Sequence, residues 1–387
     1  VDVPGHARLV HTMVAGASGI DHALLLVAAD DGPMPQTREH LAVLSLLGVE
    51  RGAVVITKCD RALPERIEAL QAEVRQMLAD TRLDGAPVFA VSALTGDGID
   101  TLRAHLFEAA RALEQHAGAA PDPRAFRLAI DRAFSLPGAG TVVTGTIHAG
   151  RVRVGDELAL TPAPRGNERR ARVRSLHAQN QAVQEAWAGQ RCAVALVGLG
   201  RDEVERGQWL THPALAFASS RFDARLTLWH GESRPLVSGT HVQLHLGAER
   251  VNATVALLDA PSLAPGASAL VQLVCARPIG AWHGERLLLR DAAASRTLAG
   301  GVVLDPHAPT RYRRTSQRLA ELTALEAPDL GARLRGLLLA APHGLDLQRF
   351  GAGQGLQALP PDTLPSQVLT DGSPQGAARW AIDAGHA

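Results

Sequence analysis

From residue 23 to residue 113, short apolar runs alternate with segments of helical spacing, and this alternation constrains the fold more than any other feature. Residues 23–29 (ALLLVAA) are continuously apolar, as in a strand covered on both faces. The chain breaks at Asp30-Asp31-Gly32-Pro33, and a helix is expected over 36–47 with Leu41, Leu44 and Leu47 on its apolar side. Residues 53–56 and 87–91 read as two further buried strands, followed by helices over 64–79 and 99–113. Such alternation implies a doubly wound parallel sheet. Ligands of these sheets bind beyond the carboxyl ends of the strands. The polar residues that close strands are therefore the candidates: Asp2, Thr57-Lys58-Cys59-Asp60 and Ser92-Ala93-Leu94.

The chemistry of the three segments agrees. Asp60 is suited to accept two hydrogen bonds from the N1–H and N2 amino edge of guanine, a pairing adenine does not offer. Lys58 has an aliphatic stem that suits the flank of a base and ribose, and backbone amides around Ala93 suit guanine O6. In Asp2-Val3-Pro4-Gly5-His6 an Asp and a Gly follow the end of a strand. The Asp is placed to approach a magnesium ion, and the Gly amide to meet a terminal phosphate. Alone this is also an ordinary turn; the downstream segments favour the nucleotide reading. Cys59 reads as filler.

Asp2 to His6, the segment Ala28-Ala29-Asp30-Asp31-Gly32-Pro33-Met34-Pro35-Gln36-Thr37-Arg38-Glu39-His40, and Thr57-Lys58-Cys59-Asp60 resemble the translation GTPases of the elongation factor Tu group. Thr57 stands where most of that group carries Asn. The resemblance implies GTP/GDP and Mg2+ as cofactors, with Asp2 near the metal and Asp2 and Gly5 in the switch that senses the γ-phosphate. It implies that His6 orients the attacking water, and that Thr57, Lys58, Asp60, Ser92, Ala93 and Leu94 hold the guanine. A Gly-x-x-x-x-Gly-Lys-Ser/Thr loop occurs nowhere in the chain. In the family it lies upstream of Asp2, so residues 1–117 are expected to be the C-terminal part of a GTP-binding domain. The chain, which starts with Val1 inside a motif, is expected to be a fragment. By itself it is expected to bind GTP poorly, not to hydrolyse it, and to expose a sheet face or edge.

Beyond the Pro/Gly/Ala-rich segment 118–123 the texture changes to short β-branched strands with glycine turns, which indicates small β-barrels over 124–216 and 220–308. Within the elongation factor Tu group, residues 126–134 (FRLAIDRAF) and 176–181 (LHAQNQ) resemble the selenocysteine-specific elongation factors. The resemblance implies that Asp131, Arg132 and Arg191 line the pocket for the aminoacyl end of selenocysteinyl-tRNA. A selenol is anionic at neutral pH, and arginine is an always-charged multiple donor suited to select it over serine. The Arg165, Arg169, Arg170, Arg172 and Arg174 run reads as a solvated loop and strand face.

Arg311, Arg313, Arg314 and Arg318 fall in what reads as a solvated polar connector or one that faces RNA. Leucine spacing then suggests two short helices, a third near 345–350 and a strand pair, so 312–387 is expected to be a winged-helix-like unit. In the family such units extend toward an mRNA hairpin. Formal net charge is zero, so any RNA contact must be local. Three scattered cysteines suggest a reducing, cytoplasmic compartment. No apolar run is long enough to span a bilayer. The implied function is GTP-dependent delivery of selenocysteinyl-tRNA to the ribosome at recoded UGA codons. A general elongation or initiation GTPase and a non-catalytic tRNA-binding module are the alternatives.

Overall fold

The computed structural model describes residues 13–14, 19–117, 123–138, 140–163, 168–364, 368–370 and 380–383. Asp2, Gly5 and His6 lie outside the described residues. The chain divides into two compact units, 1–121 with 294–297, and 122–293 with 298–387.

In the first unit a parallel three-stranded sheet runs in the order β1 (Ala23–Ala28), β2 (Gly52–Thr57), β3 (Val88–Ala90). Helices α1 (Pro35–Leu46), α2 (Pro64–Leu78) and α3 (Ile99–Ala117) follow the strands in turn. In α2, Leu70, Val74 and Leu78 recur at four-residue spacing and are fully buried, the stripe by which the helix covers the sheet. β2 is buried along most of its length, as its unbroken apolar run predicts. β1 departs from expectation. Its residues alternate between buried and open, with Leu24 39% and Leu26 59% exposed. Leu24 and Leu26 lie on the same face of the strand, so that face of β1 is the exposed one.

The second unit begins with ten strands. They are β4 (Arg127–Leu136), β5 (Gly140–Ala149), β6 (Arg151–Arg153), β7 (Glu157–Thr161), β8 (Arg169–Ala178), β9 (Gln181–Val183), β10 (Glu185–Trp187), β11 (Arg191–Val197), β12 (Trp209–Thr211) and, opening the next barrel, β13 (Ser219–Leu228). The order β11-β5-β4-β12-β7-β8 closes on itself because β8 also pairs with β11. β9 extends β8 as a hairpin, and β6 and β10 form a separate ribbon. Leu128, Ile130, Val143, Ile147, Val194 and Leu210 fill this barrel. The second barrel adds β14 (Leu236–Val237), β15 (His241–Leu246), β16 (Glu249–Leu257), β17 (Ser262–Leu263), β18 (Ser268–Ile279), β19 (Arg286–Asp291) and β20 (Thr297–Asp305). Its closed ring is β13-β18-β16-β15-β19-β20, with β14 and β17 paired alongside. Closure removes the open edges that a flat sheet of these lengths would present.

A buried charged cluster links the barrels. Arg127, fully buried at the start of β4, donates to Glu285 Oε1 at 2.9 Å, and His148 Nδ1 lies 3.1 Å from Glu285 Oε2. The Arg127 guanidinium sits 4.9 Å from the centre of the Trp282 ring, which meets Trp209 edge-on. Burial by itself would raise the Glu285 carboxyl, but His148 and Arg127 outweigh it and hold the group down to about 2.

Helices α4 (Ser316–Leu325) and α5 (Leu330–Ala340), strand β21 (Leu345–Asp346), helix α6 (Leu347–Gly353) and strands β22 (Val368–Thr370) and β23 (Trp380–Asp383) complete the chain. The antiparallel sheet runs β21-β23-β22, a winged-helix order of elements. The segment expected as a third helix near 345–350 starts instead with two strand residues, and Asp346 caps the helix by accepting from the Arg349 amide. Thr315 and Asp329 cap α4 and α5 the same way.

The arginine-rich connector is a correction to the solvated reading. Arg313 donates to Gln272 at 3.2 Å and Arg314 to the Leu257 carbonyl at 3.0 Å. Arg318 is buried between Asp223 and Asp305, 2.6 Å from each carboxylate. A shared core explains this. Leu258, Leu270 and Leu304 of the second barrel pack with Leu322, Leu325, Leu334, Leu338 and Phe350, which presses the connector onto the barrel.

Candidate functional site

Two clusters stand where the sequence places candidates. The first lies at the carboxyl ends of β2 and β3. β2 ends at Thr57, whose carbonyl accepts from the Ala29 amide at 2.9 Å, and Lys58 then takes a left-handed backbone with φ 58°. That turn starts a short 3-10 segment and sets Asp60 beside Ser92, whose hydroxyl donates to Asp60 Oδ1 at 2.6 Å. Ser92 is buried, so its hydroxyl aims the carboxylate from a fixed position. Its oxygen also accepts from the Thr95 amide at 3.2 Å, which shapes the loop carrying Ala93 and Leu94. Among the described residues the Ala93 and Leu94 amides donate to nothing, and Asp60 Oδ2 accepts nothing. The carboxylate keeps acceptor capacity for two donors, and the loop keeps two donors for one acceptor. This donor and acceptor set fits the edge of guanine.

Asp30 is the residue that motif reading left without a role. Lys58 Nζ lies 3.0 Å from both of its oxygens and Arg61 Nη1 lies 3.1 Å from Oδ2. The Lys58 hydrogen bond holds the Asp30 carboxyl below the usual range. Asp30 thus ties the turn after β1 to the loop after β2 and restrains the ammonium end of Lys58. Its place directly after an apolar strand was the available signal. Cys59 donates to the Ile56 carbonyl at 3.3 Å and burial pushes its thiol up, in keeping with an inert filler. Asp2, which the resemblance places near Mg2+, lies outside the described residues.

The second cluster is on the outer face of the first barrel. The β4–β5 register shifts between Ile130 and Arg132, leaving Asp131 as the extra residue of a bulge. Gly145 lies beneath, where an added Cβ would collide with the Ala129 carbonyl oxygen, so only glycine lets β4 press this close. The bulge turns Asp131 toward β11. There Arg191 Nη1 contacts Asp131 Oδ2 and Nη2 donates to Oδ1 at 3.1 Å. Thr144, the next outward residue of β5 from Thr146 opposite Arg191, donates to Asp131 Oδ1 at 2.7 Å. Sequence reasoning missed Thr144, since a Thr in a β-branched strand carries no distinguishing signal. Arg132 pairs with Thr144 across the strands, is exposed and makes no ion pair among the described residues. Asp131 and Arg191 cancel, so Arg132 leaves the cluster with one net positive charge beside a guanidinium whose orientation is set by a carboxylate. Such a cluster suits a small anion.

Of the earlier arginine run, Arg165 is outside the described residues. Arg169 and Arg170 pair with Glu203 at 3.2 Å and with Glu157 and Glu168 at 2.7 Å each, while Arg172 and Arg174 are exposed. Among the described residues no helix is long and apolar enough to cross a membrane.

Comparison with known families matches residues 1–112 to the elongation factor Tu GTP binding domain and 140–211 to elongation factor Tu domain 2. Residues 223–310 match the β-barrel domain of selenocysteine-specific elongation factor. The chain is 40% identical over 329 residues to the selenocysteine-specific elongation factor of Desulfomicrobium baculatum, covering 84% of this chain and 50% of that protein. It is 40% identical over 326 residues to the one from Escherichia coli K12, with the same coverage. Over 84% of its length the chain is thus similar to selenocysteine-specific elongation factors. It spans about half the length of the curated relatives it matches. Among solved structures, translation elongation factor SelB from Methanococcus maripaludis in its apo form superimposes with a TM-score of 0.69 at 28% identity, over 80% of this chain and 70% of that one. A bacterial selenocysteine-specific elongation factor shares the fold at a TM-score of 0.77 and 24% identity, over 98% of this chain and 60% of that one. The family's architecture, a GTPase domain followed by two β-barrels, is the one described above.

Proposed function

We propose that this chain is part of a cytoplasmic translation GTPase that binds GTP or GDP with Mg2+ and carries selenocysteinyl-tRNA to the ribosome at recoded UGA codons. The observation that carries the reading is the Asp131–Thr144–Arg191 set with Arg132 beside it. An anionic selenocysteinyl group meets an oriented guanidinium and a second, uncompensated one, whereas a seryl group brings no charge to satisfy either. Asp131, Arg132 and Arg191 are the pocket residues in this proposal. Asp60, Ser92, Ala93 and Leu94 hold guanine, Lys58 flanks it, and Thr57 closes the strand beneath. Asp2 and Gly5 sense the γ-phosphate, His6 orients the attacking water, and Asp2 is near the metal. In this proposal the C-terminal segment 312–387 contributes to contact with an mRNA hairpin.

Protection of the aminoacyl ester tests the pocket. Selenocysteinyl-tRNA and seryl-tRNA are incubated with the wild type and with Arg191→Ala, and ester hydrolysis is followed. We expect Arg191→Ala to lower the preference for selenocysteinyl over seryl by about tenfold or more, the scale of a lost charge-assisted hydrogen bond. An unchanged preference removes Arg191 from the pocket.

A further inference from the structure

We propose that the β6–β10 ribbon is a stacking post for an unpaired RNA base, with Trp187 carrying the base and Arg151 its phosphate. The two residues face each other directly across the ribbon. Their partners in the alternation, Ala186 and Val152, are fully buried in the barrel core, so Trp187 and Arg151 project outward. Trp187 is 54% exposed, whereas Trp209 and Trp282 of the same unit are fully buried. On the order of 100 Å² of indole is left in water, a cost that folding of this unit does not remove.

The ring stands on a locked backbone. The Trp187 amide donates to Gln190 Oε1 at 3.1 Å, and the Gln190 amide returns a bond to the Trp187 carbonyl at 3.1 Å. The Ala188 and Gly189 amides donate to the Gly150 and Ile147 carbonyls at 2.9 Å each. A partner therefore meets a preset ring and loses little of its binding to ordering the ribbon. The neighbouring Arg153 is engaged by Glu185 at 2.9 Å, but Arg151 is exposed and has no ion pair among the described residues. One flat ring beside one unengaged guanidinium is what a nucleotide needs: a π-face for the base and a fork for the phosphate. A stable protein partner would need about 800 Å² of surface with an apolar centre, while this ring's companions on the ribbon are Arg151, Arg153 and Glu185.

The location suits RNA that also reaches the Arg191 cluster. Arg191 pairs with Thr146 in β5, and Ala188 bonds to Gly150, four residues further along. At roughly 3.3 Å per residue the two places are about 13 Å apart, a span that a few extended nucleotides cross. In this placement the inference rests on the proposed aminoacyl site; the stacking itself does not. Two sources supply an unpaired base of this chemistry, the bound tRNA and another RNA on which the complex docks, and the test separates them.

Fluorescence anisotropy with labelled, unacylated single-stranded oligonucleotides tests it, one with the sequence of the tRNA 3′ end and one unrelated sequence of equal length. Trp187→Ala is expected to weaken binding by about tenfold, Trp187→Phe to retain most of it, and Arg151→Ala to reduce the salt slope by about 0.7. Loss confined to the 3′-end sequence identifies the tRNA as the source, and equal loss on both identifies a general RNA contact. Thermal melts of all three variants establish that they fold, and the Phe and Arg151 variants carry the test if Trp187→Ala does not. Unchanged binding of both oligonucleotides by the folded variants overturns the proposal and leaves a protein partner for the ring. The selenocysteinyl-to-seryl ratio is measured in parallel. It should follow Arg191 and ignore Trp187, so a failed aminoacyl site and a failed stacking post give different results.

Discussion

Ser92 shows how one hydroxyl can aim a functional group without being its chemistry. It donates to Asp60 at 2.6 Å from a buried position, so in the proposed guanine site the carboxylate is oriented before a base arrives. We predict that Ser92→Ala raises the Kd for GDP about tenfold, since a hydrogen bond to a charged group contributes roughly 1.5–3 kcal/mol. Titration calorimetry with the family's phosphate-binding loop supplied upstream checks this, and an unchanged Kd would show that Asp60 is aimed by other means. His283 makes a prediction about pH. Burial lowers it from 6.5 to about 4, and its Nδ1 lies 3.0 Å from the Leu304 carbonyl oxygen. The folded state favours the neutral ring, so its contribution is complete above pH 6.5 and is lost as pH falls from 6.5 toward 4. The loss is on the order of 3 kcal/mol. Urea unfolding at pH 7.5 and pH 4.5 should show that slope in the wild type and a shallower one in His283→Asn. Asp60 and Lys58 were legible as candidate site residues because their motif is local. Thr144 and Asp30 were not, because each matters only through a partner brought from another strand.

Elements carry the next set of decisions. The strands and helices of the first unit were readable from periodicity to within a residue or two, except that α3 runs on to Ala117 rather than ending at 113, but the coverage of β1 was not, because an apolar run does not say what lies on its far face. The Asp131 bulge was equally silent in sequence: it requires Gly145 on the neighbouring strand to admit the close approach. The Arg127–Glu285 pair joins β4 to the turn before β19, and both groups are buried. Removing one partner leaves the other charge uncompensated, which typically costs about 3–5 kcal/mol. We predict that Arg127→Met and Glu285→Gln each destabilise the protein on that scale. The double variant Arg127→Met/Glu285→Gln should cost clearly less than their sum. A double-mutant cycle of urea midpoints measures this, and strict additivity would show that the two side chains act separately.

For the molecule as a whole, the open face of β1 is the feature with the plainest consequence. Leu24 and Leu26 offer an apolar strand surface at a sheet edge, a setting that favours self-association. We predict that Leu26→Lys lowers light scattering on concentration while shifting stability by no more than about 0.5 kcal/mol, as for other exposed positions. Scattering equal to that of the wild type would assign association to another surface. The C-terminal helices, expected as a unit behind a polar connector, instead share a core with the second barrel, and Arg318 is sealed between Asp223 and Asp305.

By itself the sequence determined the parts whose physics is local. Alternating apolar runs set the parallel sheet, β-branched strands with glycine turns set the barrels, and short polar segments at strand ends marked the candidate nucleotide site. Only the tertiary structure decided which charges are neutralised. Arginines look alike along a chain, yet Arg191 is oriented by a carboxylate sixty residues away, Arg318 is buried by two, and Arg151 is left open beside an exposed indole. The reason is that a charge is defined by its neighbours in space, and closing a barrel brings together strands that the sequence keeps apart.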